Sequence, residues 1–263
     1  MKKNMRRLMA LSLAAALALT ALTGCGGNAS SSDAMSVSTS TLAQEETSAR
    51  VGTVLLSVNP EIEMDYDDGG NVVALNALND DGRTVLAGYT GYEGRPCTAV
   101  VGELVDEIHA AGYFDTTVGG HERNIVLKLE RGSAYPTDHF LDDLATSVRI
   151  AVETDQIGSQ AVTLGQDDYD DTYGDKGYIN AAAAQNLVSA QVGRSDVQFV
   201  EKDYDLDDGD YEVEFVLDGV EYEYEVDAYT GKVKEEDIDH RNDGRYDDDW
   251  DGRFDDGDWY GDP

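Results

Sequence analysis

Asn59-Pro60, inside the run Ser57-Val58-Asn59-Pro60-Glu61-Ile62-Glu63, carries the residue types for a reaction on its own chain. In an ordinary Asn-X pair the next backbone nitrogen attacks the side-chain amide and deamidation follows. Proline's nitrogen is tertiary and cannot do this. The remaining intramolecular route is attack by the Asn59 side-chain nitrogen on its own carbonyl carbon, which closes a succinimide, expels the Pro60 nitrogen and cuts the chain. An amide nitrogen is a poor nucleophile, so a fold would have to hold a near-attack geometry. Well-oriented intramolecular reactions reach effective molarities of roughly 10⁵–10⁸ M, and donors to the developing oxyanion add to this. Ser57, Glu61 and Glu63 are close in sequence, but strand alternation puts none of them at the carbonyl, so no general base is assigned. The competing reading is structural. Proline cannot donate to a ladder and marks an edge, a strand start or a bulge, and it pushes Asn59 towards extended backbone. The dipeptide would then be a bend between two strands.

The other reactive types give weaker patterns. Asp247, Asp249, Asp251, Asp255 and Asp258, with Gly252 and Phe254, follow the spacing of an EF-hand loop, which makes calcium the one cofactor suggested. The departures are aspartate rather than glutamate at the last ligand and no convincing flanking helices. Asp-rich stretches produce such spacing by chance, so a plain acidic tail is the other reading. His109, His121, His139 and His240 lack ligand spacing, and no H-E-x-x-H occurs. No G-x-S-x-G, phosphate loop or dinucleotide fingerprint is present, so no turnover enzyme is expected beyond single-turnover self-cleavage. Asp142-Asp143 reads as a wet helix face. Cys97 follows Pro96 at a helix start, where a thiolate is favoured, or it is a small, partly buried apolar residue.

The elements that would position these groups form an α+β chain of two small domains, each a mainly antiparallel sheet with one or two packed helices. Residues 51–153 make the first domain. VGTVLLSVNPEIEMDYD alternates apolar and polar residues, Asp68-Gly69-Gly70 is a turn signal, and NVVALNAL and NIVLKLE are further strands. PCTAVVGELVDEIHAAGY, from Pro96 to Tyr113, is a helix with Val100, Val101, Leu104, Val105 and Ile108 at helical spacing. PTDHFLDDLATSVRIAVE is a second, with Phe140, Leu141, Leu144, Val148 and Ile150 supplying most of its stripe. Residues 154–177, polar, acidic and glycine-rich, read as a linker. In the second domain, 178–237, Asn180 caps the helix AAAAQNLVSAQVG, and VQFVEKDYD is a strand ending at Asp207-Asp208-Gly209. YEVEFVL and VEYEYEVD pair about a two-residue Asp218-Gly219 loop, with Glu212, Glu214, Glu221, Glu223 and Glu225 facing water. The tail, 238–263, repeats DGRYDD and DGRFDD from Asp243 and Asp251 and should be disordered alone.

The N-terminus has the layout of an export signal. Lys2, Lys3, Arg6 and Arg7 precede an apolar run from Leu8 to Leu22 that is short for a membrane span. Leu22-Thr23-Gly24-Cys25 resembles the lipobox of bacterial lipoproteins, which implies cleavage within residues 1–25, lipidation of Cys25 and a flexible tether over 26–50. An ordinary secretory peptide with a stray cysteine is the alternative. Cys25 and Cys97 are the only cysteines, so a lipidated Cys25 leaves no intrachain disulfide. The net charge is −35, and loss of those basic signal residues takes the mature chain near −39. Such a charge argues against nucleic acid and against an anionic lipid surface as partners of the protein body.

Two further resemblances cover most of the remaining chain. "VLLSVNPEIEMDYDDGGNVVALNALNDDG", then "IHAAGYF" and "NIVLKLE", resemble the extracytoplasmic middle domain of the anti-sigma factor RsgI family. "YEVEFVLDGVEYEYEVDAYTGKV", closing on Asp227-Ala228-Tyr229-Thr230-Gly231-Lys232-Val233, resembles a PepSY domain. The first resemblance implies autoproteolysis at Asn59-Pro60. It also carries a departure: an anti-sigma factor of this kind uses a cytoplasmic segment and a transmembrane helix, and here a signal peptide and lipid anchor are expected instead. Direct sigma-factor binding is therefore not expected. The resulting expectation is a lipid-anchored protein on the extracytoplasmic side of the cell membrane, a sensor or adaptor whose PepSY-like domain meets an envelope partner. Because PepSY domains occur in propeptides of secreted peptidases, a peptidase modulator or inhibitor is the alternative, and an acidic cation-binding surface protein is a third.

Overall fold

The computed structural model describes residues 49–200, 206 and 209–239. Cys25, the export signal, nearly all of the tether, Glu201–Asp205 of the expected strand, Asp207 and Asp208 of its turn, His240 and the Asp247–Asp258 pattern lie outside the described residues. In chain order the elements are β1 (Gly52–Ser57), β2 (Glu61–Tyr66), β3 (Val72–Ala77), α1 (Asp80–Leu86), α2 (Cys97–Ala110), β4 (Thr117–Val118), β5 (His121–Glu122), β6 (Ile125–Leu129), α3 (Phe140–Asp155) and β7 (Ala161–Leu164). The second half adds α4 (Ala181–Gln191), β8 (Gln198–Phe199), β9 (Asp210–Leu217), β10 (Val220–Asp227) and β11 (Val233–Asp239).

The first sheet runs β3-β2-β1-β6-β7, antiparallel except for the parallel β6–β7 pair. β1 is therefore central, laddered to β2 from Gly52↔Tyr66 to Ser57↔Glu61 and to β6 from Val54↔Leu129 to Ser57↔Val126. One face of this sheet is apolar by alternation: Val54, Leu56, Ile62, Met64, Ile125 and Leu127 share a core with α2 and α3. α2 contributes Val100, Val101, Leu104, Val105 and Ile108, as its spacing predicts. α3 packs through Phe140, Leu144, Val148, Ala151 and Val152, whereas Ile150 is 61% exposed. At about 100° per residue Ile150 falls roughly 130° from the centre of that buried face. The expected stripe was wrong there by one helical position.

Residues 154–177, expected as a linker, contribute structure to the first sheet instead. β7 pairs with β6 from Ile125↔Ala161 to Lys128↔Leu164, and Tyr169 bridges to Ile179. A four-residue strand among acidic and glycine residues has too short a period to read.

The second sheet, β11-β10-β9-β8, is antiparallel and packs on α4. Asp218 and Gly219 both take left-handed backbone, φ 53° and 82°, the geometry a two-residue loop needs to match strand twist. Tyr211, Val213, Phe215, Tyr224 and Val226 face the helix, and the Asn180 side chain accepts from the Ala183 N–H as its N-cap. This core also takes in Val126 of β6 and Leu164 of β7. The two domains thus meet across the second face of the first sheet. That contact explains why every residue of β1 and β6 is buried, including Leu55, Ser57 and Lys128, where a half-solvated sheet would expose alternate positions.

Candidate functional site

β1 and β2 are joined by Val58-Asn59-Pro60, a three-residue hairpin loop beyond the Ser57↔Glu61 pair. Pro60 sits where no ladder N–H is required, and the Val58 N–H donates to the Pro60 carbonyl at 3.2 Å. Asn59 takes φ 74°, in the left-handed region that asparagine tolerates better than other side-chain-bearing residues. The Asn59-Pro60 bond is thus in a bend between two strands, and the bend itself is tightly held.

The hold comes from the segment after β3. Asn59 Nδ2–H donates to Asp81 Oδ2 at 2.9 Å, and Asn59 Oδ1 accepts from Asn79 Nδ2–H at 3.2 Å. These two contacts fix which way the Asn59 amide faces. Asn79 is also the N-cap of α1: its Oδ1 accepts from the Gly82 N–H at 2.8 Å and from the Glu61 N–H at 3.3 Å. The Leu78 N–H donates to the Glu61 carbonyl at 3.0 Å, stitching the same segment to the start of β2. Gly82 makes this approach feasible, because a Cβ there would lie 2.6 Å from the Glu61 carbonyl oxygen. Asp81 is itself oriented by Tyr113, whose hydroxyl donates to Oδ1 at 2.9 Å. Desolvation first, then donation to Asp81, raises the Tyr113 phenol above its ordinary value and keeps it a donor.

This arrangement places a carboxylate oxygen on the side-chain N–H that must lose its proton for Asn59 to act as a nucleophile. Ser57, Glu61 and Glu63, the nearest acids and hydroxyl in sequence, do other things. The Ser57 hydroxyl is buried without a hydrogen-bond partner, and Glu61 pairs with Lys232 Nζ at 3.3 Å. Glu63, raised by burial and then by Glu130 and Asp65, faces the second domain. Asp81 and Asn79 went unassigned from sequence because they lie about 20 residues downstream. The signal was present in Asn79-Asp80-Asp81-Gly82, a helix-start pattern of a capping residue followed by acids.

The remaining candidates fall elsewhere. Cys97 is fully buried rather than partly so, and desolvation, with Asp67 second, pushes its thiol up to about 12, which fits the small apolar role and not a thiolate. His109, His121 and His139 are exposed, as are Asp142 and Asp143. Among the described residues no group of three His, Cys, Asp or Glu side chains is placed to hold a metal ion.

A second polar cluster joins the domains. The Lys128 side chain is fully buried; its Nζ donates to the Gly177 carbonyl at 3.1 Å and to the Tyr229 carbonyl. It stands 4.0 Å from the Tyr229 ring centroid and 3.2 Å from Glu130 Oε1, an ion pair by distance rather than a well-aligned hydrogen bond. Desolvation lowers the Lys128 pKa, opposed by Glu130, Asp227 and Glu63.

Residues 51–173 match the family model described as the anti-sigma factor RsgI-like central domain, and residues 178–237 match that of the peptidase propeptide and YPEB domain, or PepSY. The chain therefore carries an RsgI-like central domain followed by a C-terminal PepSY domain, and the first match runs past Glu153 to include β7. No curated protein matches the chain. The RsgI-like family is membrane-associated with an extracellular domain, and the pair of domains supports an extracytoplasmic regulatory or sensor role. Among the described residues no helix is long and apolar enough to cross a membrane.

Proposed function

We propose that this RsgI-like, PepSY-bearing protein is a lipid-anchored extracytoplasmic sensor or adaptor whose first domain cuts its own chain between Asn59 and Pro60. The observation that carries the reading is the 2.9 Å hydrogen bond from Asn59 Nδ2–H to Asp81. In the cut, Asp81 takes one Nδ2 proton as that nitrogen bonds to the Asn59 carbonyl carbon. The bond to Pro60 breaks, Pro60 nitrogen takes up a proton and becomes a secondary amine, and residue 59 is left as a C-terminal succinimide that water opens. Asn79 holds the amide oxygen so that the nitrogen, not the oxygen, meets the base, and Tyr113 holds Asp81. The only co-reactant consumed is the water that opens the ring. Lipidation of Cys25 would fix residues 26–59 to the membrane and leave residues 60–263 attached only through the sheet. The PepSY domain would carry the contact with an envelope partner.

The test is the intact mass of purified residues 26–263 after denaturation, beside Asn59→Ala. Two fragments meeting at Asn59 and Pro60 in the wild type, and a single chain in the variant, are expected. An uncut wild-type chain, stable over days, would leave the hairpin as a purely structural bend.

A further inference from the structure

The second domain reaches both sides of the Asn59-Pro60 bond. Val58, which precedes it, borders a small cavity with Leu187 of α4 and Gly231, Lys232 and Val233 of the PepSY turn. Glu61, which follows it, is paired through Oε1 with Lys232 Nζ at 3.3 Å, with both side chains largely buried. Nearby, Gly231 is wedged between α4 and the first sheet, where a Cβ would meet Leu187 of α4, Val126 of β6 and Leu164 of β7 at 3.2–3.3 Å. Gln191, 3% exposed at the end of α4, accepts from the Asn124 N–H and donates to the Val118 and Glu122 carbonyls. Lys128 adds the buried link to Tyr229 and Gly177.

We infer that the first partner of this PepSY domain is the RsgI-like sheet of its own chain, and that it serves as a clamp keeping β1 seated beside β2 and β6. The turn from Asp227 to Val233 and the inner side of α4 are committed to that contact, so any partner in trans must meet the opposite, glutamate-bearing face of β9 and β10. Once its C-terminal link is cut, β1 is held in the sheet by its ladders to β2 and β6, by the Thr53 backbone contacts with Glu130 and Ser133, and by core packing of Val54 and Leu56. The clamp then sets how readily that strand leaves, by fastening Val58 and the start of β2 under one lid. The consequence for release rests on the self-cleavage reading; the clamp itself is a property of the intact fold as well.

The experiment uses residues 26–263 with an N-terminal affinity tag, as wild type, Lys232→Glu, Glu61→Lys/Lys232→Glu and Arg194→Ala. Denaturing mass reports whether the chain is cut. In cut protein, the rate at which residues 60–263 leave the immobilised N-terminal piece is followed; in uncut protein, amide hydrogen exchange over residues 52–66 is followed. Lys232→Glu should speed release or exchange about tenfold, the scale of one lost charge-assisted hydrogen bond, and the double variant should restore it. Arg194→Ala, which loses ion pairs to Asp196 and Asp218 wholly inside the PepSY domain, should leave the rate unchanged. No change in Lys232→Glu, or an equal change in Arg194→Ala, overturns the clamp. A single uncut chain sinks the cleavage reading alone, and exchange still decides the clamp.

Discussion

Replacing Asp81 with asparagine isolates the step on which the cut depends. The substitution keeps the side chain's shape and an acceptor for Tyr113, but it removes the charged oxygen that lies 2.9 Å from Asn59 Nδ2. General-base contributions of this kind run to about 10²–10⁴-fold, which is about 3–5 kcal/mol on the barrier. Tyr113→Phe deletes only the hydrogen bond that orients Asp81. Its slowing should stay within about tenfold, the scale of one lost hydrogen bond. The assay is denaturing mass spectrometry through a time course from freshly refolded protein, with circular dichroism to verify that α1 and the sheet are intact. An Asp81→Asn chain that cuts at the wild-type rate would show that Asp81 only holds the hairpin.

Gly82→Ala would gain about 1 kcal/mol of helix propensity in isolation, but its Cβ would press on the Glu61 carbonyl at 2.6 Å, and backbone has to move. The clash should win: a lower melting temperature and a cut slowed about tenfold as Asn79 and Asp81 shift off Asn59. Lys128→Met leaves Glu130 and two carbonyls without their buried cation, and urea denaturation should register a loss of about 3–5 kcal/mol, largely recovered in Lys128→Met/Glu130→Gln. Asp210 is pushed up to about 6 by burial, by its hydrogen bond with Glu225 and by Asp227, against Lys234, while Lys234 holds Glu225 low. A folded-state value above the unfolded one means stability present at low pH is lost as pH rises through about 6. The melting temperature should fall between about pH 4.5 and 6, and Asp210→Asn should flatten that slope; an unchanged slope would remove Asp210 as the cause. Cys25→Ser should move the protein from the membrane fraction to the medium, and fatty-acid labelling should be lost with it.

The parts of this fold that could be read in advance are those whose determinants are local. The β9–β10 hairpin announces itself through alternation and Asp218-Gly219, α4 through Asn180 and its apolar run, and α2 through Pro96 and a complete stripe. What stayed hidden depends on contacts across the chain. α1 is seven residues with a glycine in its middle and no stripe, so periodicity is silent there. β7 is too short to show a period, and the burial of Leu55 and Ser57 follows from a neighbour whose position sequence does not fix. Lys128, alone among the apolar residues of NIVLKLE, was the visible trace of that neighbour: a lysine in a central strand needs partners. The Asn59-Pro60 bond was legible as chemistry from two residues, whereas its base came only with the fold.

β1 is a central strand whose two neighbours, β2 and β6, both belong to the chain after Pro60. Losing it would not fray an edge. It would open a slot between two strands, each with a bare row of backbone donors and acceptors, floored by the apolar side chains of α2 and α3. Such a slot is a receptor for any extended segment of matching pattern, so departure of β1 would create a sticky product that the intact molecule conceals. A synthetic peptide of residues 49–59 should refill it and restore the melting temperature; if the stripped fragment ignores that peptide, the sheet has collapsed across the gap.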